Sequence, residues 1–226
     1  MLKEQMIAKS EKYIDLIYND PFIQGIVNGN LDPKAVCHYL QADYAYLNKF
    51  ADIYALCMAK ADNVTDKRFF IGQLSMILNE ELEGQEGPHQ VLAAYTGKPY
   101  SSIVADSKWY PSADHYIKHM SYNINEHGIA GALSAMGPCP WVYHEVAKKI
   151  NAEHHLADTH PFKKWVDFYA DDSTEDLMGN FFRMIEHYSQ NISEATKAIF
   201  VDNFVKSCQH ERRFFQMAVT QEDWED

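Results

Sequence analysis

Cys139 is set between two prolines in Met136-Gly137-Pro138-Cys139-Pro140-Trp141-Val142-Tyr143. A helix-forming pattern begins just after it. Proline has no backbone donor and a fixed φ, so a helix accepts it only in the first turn. Cys139 is therefore expected at or just before a helix N-terminus, where outward N–H groups and the dipole favour negative charge. That setting lowers a thiol pKa and makes a thiolate nucleophile plausible. A free cysteine is otherwise most often a small buried hydrophobe. Two carboxylates on faces that ought to be apolar shift the reading toward chemistry.

On a helical wheel, Val36, Tyr39, Leu40, Tyr46, Leu47, Phe50, Tyr54 and Cys57 fall on one apolar, aromatic arc, with Asp43 near its middle. An unpaired ionised Asp there carries a heavy desolvation penalty. It must pair with an Arg or Lys, or face a cavity that takes a polar ligand, with Tyr39 and Tyr46 supplying walls and hydroxyls. Glu211 repeats the anomaly within the stripe Phe200, Phe204, Cys208, Phe214, Phe215 and Ala218. It is either half of a buried ion pair or a carboxyl raised by desolvation into the range of a proton donor. Convergence of Asp43, Glu211 and Cys139 on one cavity is the active-site expectation.

The elements that must position these groups all read as helical. Apolar spacing and capping signals predict helices over 2–18, 21–28, 33–61, 65–83, 89–95, 101–105, 111–126 and 129–136. Further helices are expected from Pro140 to about 152, and over 161–170, 173–188 and 193–219. Gly84-Gln85-Glu86-Gly87-Pro88 interrupts the series. With no period-2 stretch and no repeat, residues 1–226 read as one all-α, single-domain helical bundle.

A net charge of −12 argues against a nucleic-acid or anionic-membrane partner, because phosphate affinity needs Lys/Arg patches. The N-terminus does not resemble a signal peptide. Cys37, Cys57, Cys139 and Cys208 form no CxxC pair, so a reduced, cytoplasmic protein is expected. The most apolar stretch, Ile129 to Tyr143, is broken by Gly131, Gly137, Pro138 and Pro140 and cannot span a bilayer as one helix. His115 and His119 have the i,i+4 spacing of a metal pair, but no Glu completes a zincin-type motif. Glu86-Gly87-Pro88-His89 matches the Glu-x-x-His of di-iron bundles in letters only, since Gly and Pro break the helix it requires. No metal or cofactor is expected. Trp165, Phe168 and Tyr169 read as core, with the Tyr169 hydroxyl free to turn into a cavity.

Five segments together resemble the thiaminase II (TenA) family. They are Tyr39 to Leu47, Asp114 to Met120, Ala135 to Tyr143, Trp165 to Tyr169 and Cys208 to Ala218, in order over nearly the whole chain. The resemblance implies a haem-oxygenase-like helical fold without haem, a homotetramer, and aminopyrimidine or thiamin hydrolysis in thiamin salvage. It also implies that Cys139 is a nucleophile adding to the pyrimidine ring and Glu211 the acid that protonates it. Asp43 matches the pyrimidine-binding aspartate, and Tyr46, Tyr116, Tyr143 and Tyr169 match tyrosines that stack on the ring or orient Glu211. The Glu83-to-His89 segment departs from that pattern, being longer and more broken than the helix expected there. The other readings are a non-catalytic pyrimidine- or thiamin-binding regulator, which would not need a reactive thiol, and a helical oxidase or metalloenzyme of the same fold, against which the lack of a paired Glu-x-x-His set counts.

Overall fold

Proline sets the starting points of much of this fold. In the computed structural model, which describes residues 1–85 and 87–225, five helices begin on a proline whose missing N–H would be unpaired in any case. The order is α1 (Leu2–Tyr18), α2 (Pro21–Val27), α3 (Pro33–Lys60), α4 (Val64–Ser75), a π-helix (Met76–Glu81), α5 (Pro88–Thr96) and α6 (Tyr100–Val104). Then come α7 (Pro111–Met136), α8 (Pro138–Glu153), α9 (Lys163–Tyr169), α10 (Ser173–Tyr188) and α11 (Glu194–Thr220). Among the described residues there is no strand, and the all-α expectation holds.

The three long helices α3, α7 and α11 pack on one another, and the rest cover them around one continuous hydrophobic core. Phe22, Phe181, Phe200, Phe204, Phe215 and Trp165 are among its largest fully buried side chains, so Trp165 is core as expected. A buried hydrogen bond from Asn203 Nδ2 to Asn123 Oδ1, 2.6 Å, ties α11 to α7 inside that core. Arg212 Nε and Nη2 donate to the two Asp20 oxygens at 2.7 and 3.0 Å, a bidentate clamp between α11 and the cap of α2. Because Arg212 is anchored on one side of α11, the adjacent Glu211 is held on the core side.

Two backbone irregularities shape the rest. The predicted break between residues 126 and 129 is a kink at Gly128, with φ 64° and ψ −153°, a region essentially open only to glycine. Beyond it Ile129–Met136 is buried along its whole length and runs through Gly137 directly into α8. Helix α8 starts at Pro138 rather than after Pro140, so Cys139 lies inside the first turn.

The second irregularity differs from expectation. The helix predicted to reach residue 83 stops being α at Ser75 and widens into the π-helix, with Leu82 N–H bonding the Ile77 carbonyl at 3.0 Å. A Cβ on Gly84 or Gly87 would come within 2.3 or 2.4 Å of the Glu80 carbonyl oxygen. Glycine is thus required for the turn to close back over the end of the π-helix. Of the Glu86-to-His89 letters, Glu86 lies outside the described residues.

Replacing Arg212 with Met strands the buried Asp20 carboxylate, at a cost of about 2 kcal/mol. For a chain of this size the expected fall in Tm is roughly 4–8 °C by calorimetry. An unchanged Tm would show that the clamp does not hold α11.

Candidate active site

A cavity of about 490 Å³ opens between α3, the π-helix, α8, α9, α10 and α11. It has the size of a small-molecule site. Asp43, Tyr46, Cys139, Tyr143, Tyr169 and Glu211 all line it, so six of the seven expected site residues meet there. Tyr116 is the exception. It is fully buried behind the wall, its ring 5.4 Å from that of Tyr46, and it acts on Glu211 from behind.

Cys139 is half-buried on the cavity wall, beside the Tyr46 hydroxyl and the Glu211 carboxyl. The expected depression of its pKa is not what this environment produces. Burial pushes the thiol well above its ordinary value, and the charges of Glu211, Glu81 and Asp43 push it further, against a smaller opposing pull from Tyr46. Enclosure among carboxylates outweighs the helix N-terminus. Cys139 is therefore held as a neutral thiol at neutral pH.

Glu211 is 2% exposed and among the described residues has no Lys or Arg paired with it; the adjacent Arg212 is taken by Asp20. The ion-pair alternative does not hold. Burial pushes its pKa up to about 8, with Asp43 and Glu81 adding to the rise and Tyr116 and Cys139 opposing it. The Tyr116 hydroxyl and Glu211 Oε1 are both buried without a well-formed hydrogen bond, which leaves the carboxyl an open position. At neutral pH Glu211 holds its proton.

Asp43 pairs with neither Arg nor Lys. Its Oδ2 meets His89 Nε2 at 2.8 Å, and His89 Nδ1 meets the Tyr100 hydroxyl at 2.8 Å, an interior relay from α3 through α5 to α6. That relay fixes the carboxylate's orientation toward the cavity. The Tyr143 and Tyr39 hydroxyls share a 2.5 Å hydrogen bond, and the Tyr143 ring lies 4.7 Å from that of Tyr169. Phe214 closes the aromatic wall against Tyr46 at 5.2 Å.

Two residues of this constellation are not among those the sequence singles out. Glu81, at the end of the π-helix, lines the cavity and accepts a hydrogen bond from the Tyr169 hydroxyl at 2.9 Å. Burial and the Asp43 charge push it up to about 7, against the pull of His89 and Tyr169. Its position four residues after Ile77 and eleven after Phe70, both buried, is the available signal. His89 offers none beyond its letters in a rejected metal motif.

His115 and His119 meet His210, whose ring lies 4.7 and 5.3 Å from theirs, outside the cavity. Among the described residues the one group spaced to hold a metal ion is Asp62, Asp66 and His187. There Asp66 is already engaged by Arg183, Asn63 and Tyr188. No helix among the described residues is long and apolar enough to cross a membrane.

Comparisons with known proteins agree with this architecture. Residues 7–221 match the family described as TENA/THI-4/PQQC. The chain is similar to the aminopyrimidine aminohydrolase of Staphylococcus saprophyticus, 38% identical over 225 residues that cover 99% of this chain and 96% of that one. It is 36% identical to the aminopyrimidine aminohydrolase of Staphylococcus aureus over 223 residues, 98% and 95% of the two chains. In fold it resembles a TenA homologue from P. horikoshii, with TM-score 0.80, 18% identity and 96% and 98% coverage. Haem oxygenase-1 from Synechocystis shares the fold more distantly, with TM-score 0.53, 13% identity and 97% and 93% coverage.

Because the Tyr116 hydroxyl draws the Glu211 pKa down, Tyr116→Phe is expected to raise it. Carbon-13 carboxyl resonances, assigned by loss in Glu211→Gln, should show a titration at about 8 in wild type and a higher one in Tyr116→Phe. Titration of Glu211 in the ordinary carboxylate range would contradict the desolvated site.

Proposed function

The chain belongs to the TENA/THI-4/PQQC family, and from that membership we propose that it is an aminopyrimidine aminohydrolase of the thiaminase II kind, a hydrolase acting on C–N bonds. Its substrate is 4-amino-5-aminomethyl-2-methylpyrimidine, converted to the hydroxymethylpyrimidine and ammonia, with thiamin cleavage to hydroxymethylpyrimidine and thiazole as a related reaction in thiamin salvage. The names of the relatives from Staphylococcus support the reaction class. The observation that carries the reading is the Cys139–Glu211 pair on one wall of an aromatic cavity, with the His89-oriented Asp43 carboxylate in the same space.

Each group has a role in this mechanism. Asp43 accepts hydrogen bonds from the exocyclic amino group, and Tyr46, Tyr143 and Phe214 enclose the ring. The sulfur of Cys139 bonds to an electron-poor ring carbon while Glu211 gives its proton to a ring nitrogen. The thiol proton passes to the Glu211 carboxylate, so the net event is addition of S–H across a C=N bond. Aromaticity is lost, which lets the electrons of the adduct expel the group on the exocyclic methylene. Water adds at that methylene and gives up a proton, the sulfur departs and regains a proton as the ring nitrogen returns its own to Glu211, and the ring is restored. This divides one hard substitution into easier steps. No free thiolate is needed, which suits a cysteine whose burial keeps it protonated. The homotetramer implied by the sequence resemblance is the assembly we propose for the active enzyme.

Ammonia release from the aminomethylpyrimidine by wild type and Cys139→Ser, side by side, tests the reading. Wild type is expected to turn over, and Cys139→Ser to lose at least ~10³-fold in kcat while still binding the hydroxymethylpyrimidine. Binding without release by wild type would instead favour a pyrimidine-sensing protein. Since Glu211 must be protonated to act, kcat/KM is expected to fall as pH rises through about 8.

A further inference from the structure

Among the described residues the cavity wall carries six carboxyl residues, Asp43, Glu80, Glu81, Asp167 (paired with Lys163), Asp171 and Glu211, and no Lys, Arg or His. Such a lining favours a cation and repels an anion. Two of the six are committed by the mechanism, Asp43 to the ring amino group and Glu211 to the ring nitrogen. Glu80, Asp167 and Asp171 are exposed, whereas Glu81 is 9% exposed. Glu81 is thus the one buried carboxyl on the wall without an assigned partner in the reaction. Its one hydrogen bond among the described residues is the Tyr169 hydroxyl on Oε1.

Resting on the aminohydrolase reading, we propose that Glu81 is a second proton-transferring residue. It holds the ammonium on the exocyclic methylene as an ion pair and then takes a proton from the water that replaces the ammonia. A primary aminomethyl group is an ammonium at neutral pH, which is the form that can leave as neutral ammonia. Once the Cys139 adduct has formed, the C–N bond breaks, both bonding electrons go to nitrogen, and NH₃ departs. Water oxygen then bonds to the methylene carbon while Glu81 takes one of its protons. Glu81 passes that proton to the ammonia, which exits as ammonium past Glu80, Asp167 and Asp171. The balance is one water consumed and one C–N bond exchanged for C–O, with Glu81 returned to its ionised form.

The backbone is arranged to hold this residue. The π-helix ends at Glu81, and the Gly84 and Gly87 turn passes so close to the Glu80 carbonyl just before it that neither position has room for a Cβ. π-Turns occur mostly as local insertions and often at functional sites. Every neighbouring element presents a polar group to Glu81. These are Asp43 and Tyr39 on α3, His89 on α5, Tyr100 on α6, Cys139 on α8, Tyr169 on α9 and Glu211 on α11. Burial and the Asp43 charge push Glu81 up to about 7 against the pull of His89 and Tyr169, and burial pushes Glu211 up to about 8. In this proposal the two carboxyls work in opposite states: the ammonium beside Glu81 favours its ionised form, while Glu211, enclosed in its apolar wall, keeps its proton.

The test is the pH profile of kcat/KM for ammonia release from 4-amino-5-aminomethyl-2-methylpyrimidine by wild type, Glu81→Gln and Glu81→Asp. Wild type should show an acid limb at about 7, where Glu81 must lose its proton. Glu81→Gln should lose that limb and about 100-fold in kcat/KM. It should also bind the hydroxymethylpyrimidine within a few-fold of wild type. Glu81→Asp should restore the limb and part of the rate. An acid limb that persists unchanged in Glu81→Gln would overturn the proposal. So would joint loss of product binding and rate in both variants, which marks a merely structural carboxylate. If wild type itself releases no ammonia, the aminohydrolase reading fails first; with a wild type that turns over, the variants report on Glu81 alone.

Discussion

Glu211 is a buried carboxyl with no cation paired to it among the described residues, and the rest of the site depends on that constraint. An ionised carboxylate in such surroundings is costly, so the protein keeps the proton on it near neutral pH. The same enclosure raises Cys139 and Glu81, because each carboxylate around the cavity discourages charge on the others. The protonation of each of these groups therefore depends on its neighbours as well as on burial. Asp43 completes the site: the His89 and Tyr100 relay orients its carboxylate from behind.

Holding these groups together requires rigid supports outside the cavity. The Arg212–Asp20 clamp fixes the rotation of α11, and the Asn123–Asn203 bond ties α11 to α7. The kink at Gly128 lets the buried end of α7 lead straight into the proline-flanked turn that carries Cys139. Stability and chemistry meet at neighbouring positions, with Arg212 facing outward and Glu211 inward on the same turn.

Much of this is legible in the sequence because a charged residue inside an apolar stripe has few explanations. Asp43 and Glu211 stand out that way, and their convergence with Cys139, an expectation from those anomalies, is what the cavity lining shows. Glu81 lies on the stripe of Phe70 and Ile77 and passes the same test. It stays hidden because periodicity carries no sign that the helix widens into a π-turn, so the Gly-rich segment after it looks like an interruption rather than a support. The thiol's direction of shift also misleads, since a helix N-terminus is visible locally whereas the carboxylates around Cys139 come from other elements brought together by folding. Tyr116 and His89 show the same limit. Whether a tyrosine forms the wall or stands behind it, and which partner an interior aspartate takes, are settled by packing between distant segments.

At the centre of this chemistry, Cys139 waits as a neutral thiol and reacts together with the proton on Glu211. The most direct measurement is the ultraviolet thiolate absorbance of the ligand-free protein against pH, taken as the difference between wild type and Cys139→Ser. No thiolate signal is expected at or below neutral pH, with a rise only above the ordinary thiol range. A thiolate appearing between acid and neutral pH would mean an ion pair ready before substrate arrives, and would contradict the neutral-thiol mechanism.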